Sequence, residues 1–298
     1  MTRTLRLRAH AKLNLALAVA PAEPPGSPRA GWHRICSWMH AIELHDDVEI
    51  SLDPALDAPV VGVRWADDAP RHAGEPVAWP TQSDLAARAM AAVADAAGGI
   101  PPVRIAVRKR IPDGGGLGGG SADAAAVLRG LDALLELGLG RVRLGELAAG
   151  LGSDVAFFLD DGPTDAPPRP AIVSGFGDAI ERLGPVEADV SLFCPGFGCP
   201  TAEVYAAFDA AHPPAFRDAD VRRLASATPE GATLFNDLAP AAERVRPPLA
   251  EVRRRLAAAH EAPVRLTGSG STLFALSPHA ADAWRHTSDG VALRTRLV

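Results

Sequence analysis

The chain is poor in lysine. Of its 30 Lys and Arg residues only Lys12 and Lys109 are lysine; where arginine serves almost everywhere, a surviving lysine marks a place that suits a compact ammonium. Aromatic residues make up 5% of the sequence and Tyr205 is its sole tyrosine. The three cysteines, Cys36, Cys194 and Cys199, form neither an even framework nor a CxxC pair. That excludes a disulfide scaffold, and a reduced cytoplasmic protein is expected. Basic residues are not in excess, the net charge being −6, which argues against a nucleic-acid partner. No apolar run reaches the length of a bilayer span. The start, MTRTLRLRAH, carries charge without an apolar stretch, so neither a signal peptide nor a membrane partner is expected. Nothing in the sequence gives the oligomeric state.

Glycine and proline, by contrast, are abundant, at 28 and 27 residues. Hydrophobic content of 47% with 22% charged is ordinary globular composition, and 298 residues suffice for two domains. Alternation predicts strands at Thr4–Ala9, Leu13–Val19, Arg34–Ile42 and Asp47–Leu52, with the proline-rich PAEPPGSPRAG as a loop after the second. A helix is expected over Ser83–Ala97, capped by Ser83 or Asp84, and a short strand over Val103–Val107. Gly162–Pro170 (GPTDAPPRP) breaks the composition and is the expected boundary between a domain of residues 1–162 and one of 163–298. Beyond it come a strand at Val190–Cys194, helices at Ala202–Ala210 and Pro240–His260, and a strand at Val264–Leu266. A TGSGS turn (Thr267–Ser271), a strand at Leu273–Leu276, a helix at Ala280–His286 and a strand at Val291–Arg296 follow. Strands and helices mix without strict βαβ alternation, which makes the fold class α+β.

The most pointed feature is IPDGGGLGGGSADAAAVLRGL, Ile111 to Leu131, in which six of the seven residues from Gly114 to Gly120 are glycine. Ala124, Val127, Leu128, Leu131, Leu134 and Leu135 then form one apolar helical face. Glycine lets successive backbone N–H groups turn toward one anion. A helix starting near Ser121 adds unpaired N–H groups and the positive end of its dipole. The junction therefore reads as a phosphate cradle, with a plain flexible loop as the bland alternative. It is not a Walker sequence, because no Gly-Lys-Ser/Thr follows, and the context of a dinucleotide fingerprint is missing.

Three separated stretches give the chain a family likeness. Ala11-Lys12-Leu13-Asn14-Leu15, the Pro112–Ala125 segment PDGGGLGGGSADAA and Thr267–Ser271, in that order, resemble the three motifs of the GHMP kinase superfamily of small-molecule kinases. Gly31-Trp32-His33, LGSDVAFF at Leu151–Phe158, and Cys194-Pro195-Gly196 ahead of Pro200-Thr201 resemble the branch whose substrate is CDP-methylerythritol. The resemblance implies a two-domain GHMP kinase fold. Its amino-terminal half would look like the second domain of ribosomal protein S5, and its carboxy-terminal half would be ferredoxin-like. It implies ATP with Mg2+, bound in a cleft, and phosphorylation of the substrate's 2-hydroxyl. Other GHMP kinases, of homoserine or mevalonate type, and a non-catalytic sensor of the same fold are the alternatives.

Residue by residue, the resemblance implies that Lys12 and Asp154 are the catalytic pair. Phosphoryl transfer asks for alignment and positive charge, and its proton can leave late, so a carboxylate oriented by an ammonium suffices. Pro112, Asp113, Gly114, Gly115, Gly116, Leu117, Gly118, Gly119, Gly120, Ser121 and Ala122 would hold the nucleotide. The bland readings are an N-cap for Ser121 and a helix or turn cap for Asp154. Asn14, on the same strand face as Lys12, would bond substrate or fix the Lys12–Asp154 geometry. Trp32 and Tyr205 would stack on the cytosine ring and His33 would read its edge; loop packing and a structural histidine are the bland readings. Thr201 is a substrate contact or an N-cap. Gly268, Ser269 and Gly270 approach the reacting phosphate or pack beneath the glycine loop, with Thr267 and Ser271 as further contacts. The chain departs from the family pattern at Asp113, usually apolar, at Ala122-Asp123, usually Ser-Asn, and at Trp32, usually Tyr. The charge of Asp123 is expected near the ATP phosphates.

Overall fold

The computed structural model describes residues 3–211, 215–286 and 289–298. In chain order they form β1 (Thr4–Ala22), β2 (His33–Leu52), β3 (Val60–Trp65), α1 (Leu85–Ala97), β4 (Val103–Lys109) and α2 (Gly119–Leu135). Next come α3 (Gly140–Leu151), α4 (Val155–Phe158), β5 (Ala171–Gly175), β6 (Ala179–Arg182), β7 (Asp189–Pro195), α5 (Thr201–Asp209) and α6 (Asp218–Ala225). The rest is α7 (Ala239–Val245), α8 (Pro247–Ala259), β8 (Arg265–Leu266), β9 (Leu273–Ala275), α9 (Ala280–Trp284) and β10 (Gly290–Arg296).

These elements gather into two compact units: residues 1–11, 44–112 and 118–168, and residues 12–43, 113–117 and 169–298. The last crossing lies between Pro168 and Arg169. Residues 12–43 and 113–117 nevertheless belong with the carboxy-terminal unit, so the spatial division is not one cut in the sequence. The reason is the length of β1 and β2, which run on through both units.

In the first unit β4 lies between β3, parallel to it (Val60↔Arg104), and the second half of β2, antiparallel to it (Asp47↔Arg108). Alternation in β4 buries Val103, Ile105 and Val107 and leaves Arg104 and Arg108 outward. Helices α1 and α2 pack together. Their facing surfaces are rich in alanine (Ala86 and Ala89 in α1; Ala124 and Ala125 in α2), which permits close approach of the backbones. Asp84 caps α1, accepting from Ala86 N–H at 2.8 Å. In the second unit the first half of β2 pairs with β5 (Ile35↔Gly175) and β5 with β6. A separate four-stranded antiparallel sheet has the order β10-β7-β9-β8. Phe193, Leu249, Leu256, Leu273 and Trp284 are central to the core of this unit; each such large side chain contributes roughly 1.5–3 kcal/mol by leaving water.

Three expectations about local structure change. The strands expected at Thr4–Ala9 and Leu13–Val19 are one strand, because His10, Ala11 and Lys12 between them are buried as well. Those expected at Arg34–Ile42 and Asp47–Leu52 are likewise one. The helix expected over Pro240–His260 divides at Arg246, whose φ of −130° and ψ of 80° are not helical. Pro247 disfavours the helical region for the residue before it and cannot donate to the preceding turn.

Candidate active site

Lys12 and Asn14 stand two apart on β1 and so share a face. Both are buried, at 3% and 2% exposure. Lys12 Nζ donates to Asn14 Oδ1 at 2.5 Å. The Asn14 amide is fixed in turn: Nδ2 donates to Ser37 Oγ at 2.8 Å, and Ser37 donates to Ala16 O at 2.9 Å. Asn14 N–H donates to Thr267 Oγ1 at 2.9 Å. With Nδ2 committed to Ser37, Oδ1 must face the ammonium. An amide oxygen orients a cation without neutralising it. Of the two roles expected for Asn14, holding Lys12 is the one these bonds support.

The glycine loop is joined to the first motif and to the end of the third through backbone. Lys12 N–H donates to Leu117 O at 2.9 Å, and Thr272 N–H donates to Gly115 O at 3.1 Å. Gly116 has φ +76°, and a Cβ there would stand 2.6 Å from Thr267 O, so only glycine fits. The TGSGS turn therefore packs against residues 113–117. A residue with no sequence signal stabilises it: Asn236 Nδ2 donates to Leu266 O at 2.9 Å and Gly268 O at 2.8 Å. Ser269 Oγ shares a hydrogen bond of 2.9 Å with Thr201 Oγ1, and Ser271 donates to Phe197 O. Thr201 is the first residue of α5, after Pro200, and makes no cap bond.

The aromatic residues of the same unit form two groups. His33 Nε2 lies 2.8 Å from Asp209 Oδ1, and the His33 ring packs against Tyr205 with centroids 4.8 Å apart. Trp32 is 55% exposed. Its ring meets Phe176 edge-on at 6.4 Å, with the Arg29 guanidinium 5.4 Å from Trp32 and 4.6 Å from Phe176. The loop that carries Arg29 and Trp32 is closed by Glu23 N–H donating to Trp32 O at 2.7 Å. The proline-rich segment is thus an ordered support for Trp32; Phe176 and Arg29 were not anticipated.

The first unit holds the helix start and Asp154. Helix α2 begins at Gly119, two residues before the expected start, and Gly118 is its N-cap with no side-chain cap bond. Ser121 is therefore inside the first turn and is not the cap. Without a capping side chain, the leading amides and the helix dipole suit a phosphate. Ala122 differs from the residues before it, since its N–H donates to Gly118 O at 2.9 Å. Asp154 is the N-cap residue of α4, and its carboxylate makes no cap bond to that helix.

Asp123 stands in the opening turns of α2. It is fully buried, and its Oδ2 accepts from Lys109 Nζ at 2.5 Å. Lys109 also donates to Asp46 Oδ2 at 2.7 Å. Burial lowers the Lys109 pKa but the two carboxylates outweigh it and hold the ammonium charged. Burial pushes the Asp123 carboxyl upward against the pull of Lys109. The second lysine of the chain is thus an internal tie. Among the described residues no group of three or more His, Cys, Asp or Glu is gathered to hold a metal.

A glycine loop feeding an uncapped helix, backed by a second glycine turn, defines a phosphate-handling protein of the small-molecule kinase type. The model of the GHMP kinases N terminal domain matches residues 84–173 and that of the GHMP kinases C terminal matches residues 214–285. The chain belongs to the GHMP kinase family, whose members are ATP-dependent. Among its relatives, 4-diphosphocytidyl-2-C-methyl-D-erythritol kinase of Salinispora tropica is 36% identical over 97% of this chain and 88% of its own. The kinase of that name from Thermobifida fusca is 39% identical over 94% of this chain and 89% of its own. A crystal structure of 4-(cytidine 5'-diphospho)-2C-methyl-D-erythritol kinase, 30% identical, superposes with a TM-score of 0.74 over 98% of this chain and 99% of its own. Homoserine kinase from Cytophaga hutchinsonii, 16% identical with a TM-score of 0.64 over 99% of this chain and 94% of its own, shares the fold. No helix among the described residues is long and apolar enough to cross a membrane.

Proposed function

We propose that this chain transfers the γ-phosphoryl group of ATP to the 2-hydroxyl of 4-diphosphocytidyl-2-C-methyl-D-erythritol, a step of non-mevalonate isoprenoid precursor synthesis in the cytoplasm. The observation that carries the reading is that one unit of the protein holds both an amide-oriented buried ammonium and an aromatic group around an Asp-anchored histidine. The names of the relatives support the same substrate.

Lys12 and Asp154 are the proposed catalytic pair. Lys12, turned by Asn14, stabilises charge on the acceptor oxygen, and Asp154 receives its proton late in the transfer. ATP supplies the phosphoryl group, and Mg2+ accompanies its phosphates. The residues from Asp113 to Ser121 hold those phosphates through backbone N–H groups, with Pro112 fixing the entry to the loop and the Ser121 hydroxyl as an added donor. At the cytidine end, the tautomer of His33 that donates from Nε2 to the Asp209 carboxylate presents Nδ1 as an acceptor. A cytosine N4 amine is the matching donor. Tyr205 and Trp32 supply stacking faces.

The test offers CDP-methylerythritol, homoserine and mevalonate in parallel with ATP and Mg2+. The expected result is a kcat/KM for the cytidine substrate at least roughly a hundredfold above the others, the discrimination expected of a site with buried polar recognition. Comparable turnover of homoserine or mevalonate overturns the substrate. Tight ATP binding with no turnover of any acceptor favours the sensor.

A further inference from the structure

We infer that Lys109 is a positioning residue for the nucleotide loop, the tie that holds the two ends of that loop at a fixed separation. The inference rests on the reading that residues 112–121 bind ATP phosphates.

The chain enters the loop at Arg110 and Ile111 and leaves it at Gly118 and Gly119. At the entry, Asp46 Oδ1 accepts from the backbone N–H groups of both Arg110 and Ile111, the latter at 2.8 Å. At the exit, Asp123 lies in the opening turns of α2. Lys109 Nζ donates to Asp46 at 2.7 Å and Asp123 at 2.5 Å, and so joins the two ends. All three side chains are almost wholly excluded from water, Asp46 and Asp123 at 0% and Lys109 at 4% exposure. The ends also touch directly. A Cβ on Gly119 would stand 3.0 Å from Ile111 Cγ2 and 3.6 Å from Asp46 Oδ2, so a small widening or narrowing here is felt at once in the loop.

A buried ion pair of this kind is poor evidence for net stability but strong evidence for a specified geometry, and breaking it leaves uncompensated charge. Removing the ammonium leaves two desolvated carboxylates facing each other, relieved only by taking up a proton or by moving apart. Moving apart separates the loop's entry from its exit. Among the described residues Asp123 Oδ1 has no hydrogen-bond partner, and the hydrogen bond that draws this carboxylate toward Asp46 is the one from Lys109.

The experiment compares Lys109→Met, Asp123→Asn and the double variant with the parent, by steady-state kinetics and by equilibrium binding of ATP. Lys109→Met is expected to raise the KM and Kd for ATP about tenfold, the change that ~1.4 kcal/mol brings, with the KM for the acceptor alcohol within about threefold. The double variant is expected to recover to within about threefold, because the neutral amide that replaces the Asp123 carboxylate does not repel Asp46 and brings N–H donors to reach it. Asp123→Asn alone keeps the Lys109–Asp46 bond and should be close to the parent. Unchanged ATP affinity in folded Lys109→Met, or an equal loss for both substrates, overturns the inference. So does a tenfold loss in Asp123→Asn, which would assign the carboxylate itself to the nucleotide or its metal. If Lys109→Met does not fold, Asp123→Asn decides the matter: it must keep parental ATP affinity, and a tenfold loss overturns the tie. Failure of the parent to bind ATP overturns the ATP reading instead.

Discussion

Lys12 and Lys109 are both buried, yet one is oriented by a neutral amide and the other by two carboxylates. In the second unit, the Asn14 amide oxygen accepts from the Lys12 ammonium. In the first, Asp46 and Asp123 both accept from the Lys109 ammonium. On the proposed reading one lysine serves chemistry and the other geometry.

Substitution at the proposed catalytic pair breaks this contrast most forcefully. Asp154→Ala and Lys12→Arg should each lower kcat by about a thousandfold or more while ATP affinity stays within a few fold, as expected for groups that act on developing charge and proton transfer. Equilibrium nucleotide binding beside single-turnover rates measures both quantities; near-normal kcat in Asp154→Ala removes that residue from the mechanism. The pattern is the reverse of the one expected for Lys109→Met.

Asn14→Ala sharpens the comparison at intermediate size. Loss of the oriented amide should cost kcat about ten- to a hundredfold with little change in either KM, because the ammonium remains but its direction does not. A rise confined to the acceptor's KM would make Asn14 a substrate contact. At the cytidine end, Asp209→Ala should raise the acceptor's KM about tenfold by freeing the His33 tautomer, and leave the KM for ATP unchanged. Equal shifts in both would detach His33 from base recognition.

The smallest effect is optical. Trp32 is far more exposed than Trp38, Trp65 and Trp284, which lie at 0%, 3% and 0%. Saturating cytidine nucleotide should change the emission of the parent by about a tenth or more and leave Trp32→Phe flat. A silent parent counts against stacking on the indole.

Much of the fold could be read along the chain. The apolar face of α2, the Asp84 cap of α1 and the turn at Thr267–Ser271 lie where periodicity and glycine put them, because each rests on neighbours within a few residues. Strand β3 and helices α3 and α6 were not anticipated. The burial of Val60–Trp65 alternates only on one side, and α3 buries Ala148 alone among its residues, so neither carries a strong periodic signal. The site was partly legible. Lys12, Asn14, His33 and Tyr205 stand in motifs, whereas Asn236, Asp209, Phe176 and Asp46 act from remote positions without a local pattern.

By itself the sequence determined which residue types stand at the glycine junction, that a helix follows it, and that only two ammonium side chains are present, since composition and short-range backbone preference are local properties. The tertiary structure alone decided which groups each ammonium meets. Whether Asp123 would meet a phosphate or a lysine depends on which strand packs beside α2, and long-range pairing brings Asp46 and Lys109 to that turn. Burial then fixes the outcome, because a carboxylate withdrawn from water must find a cation or a proton.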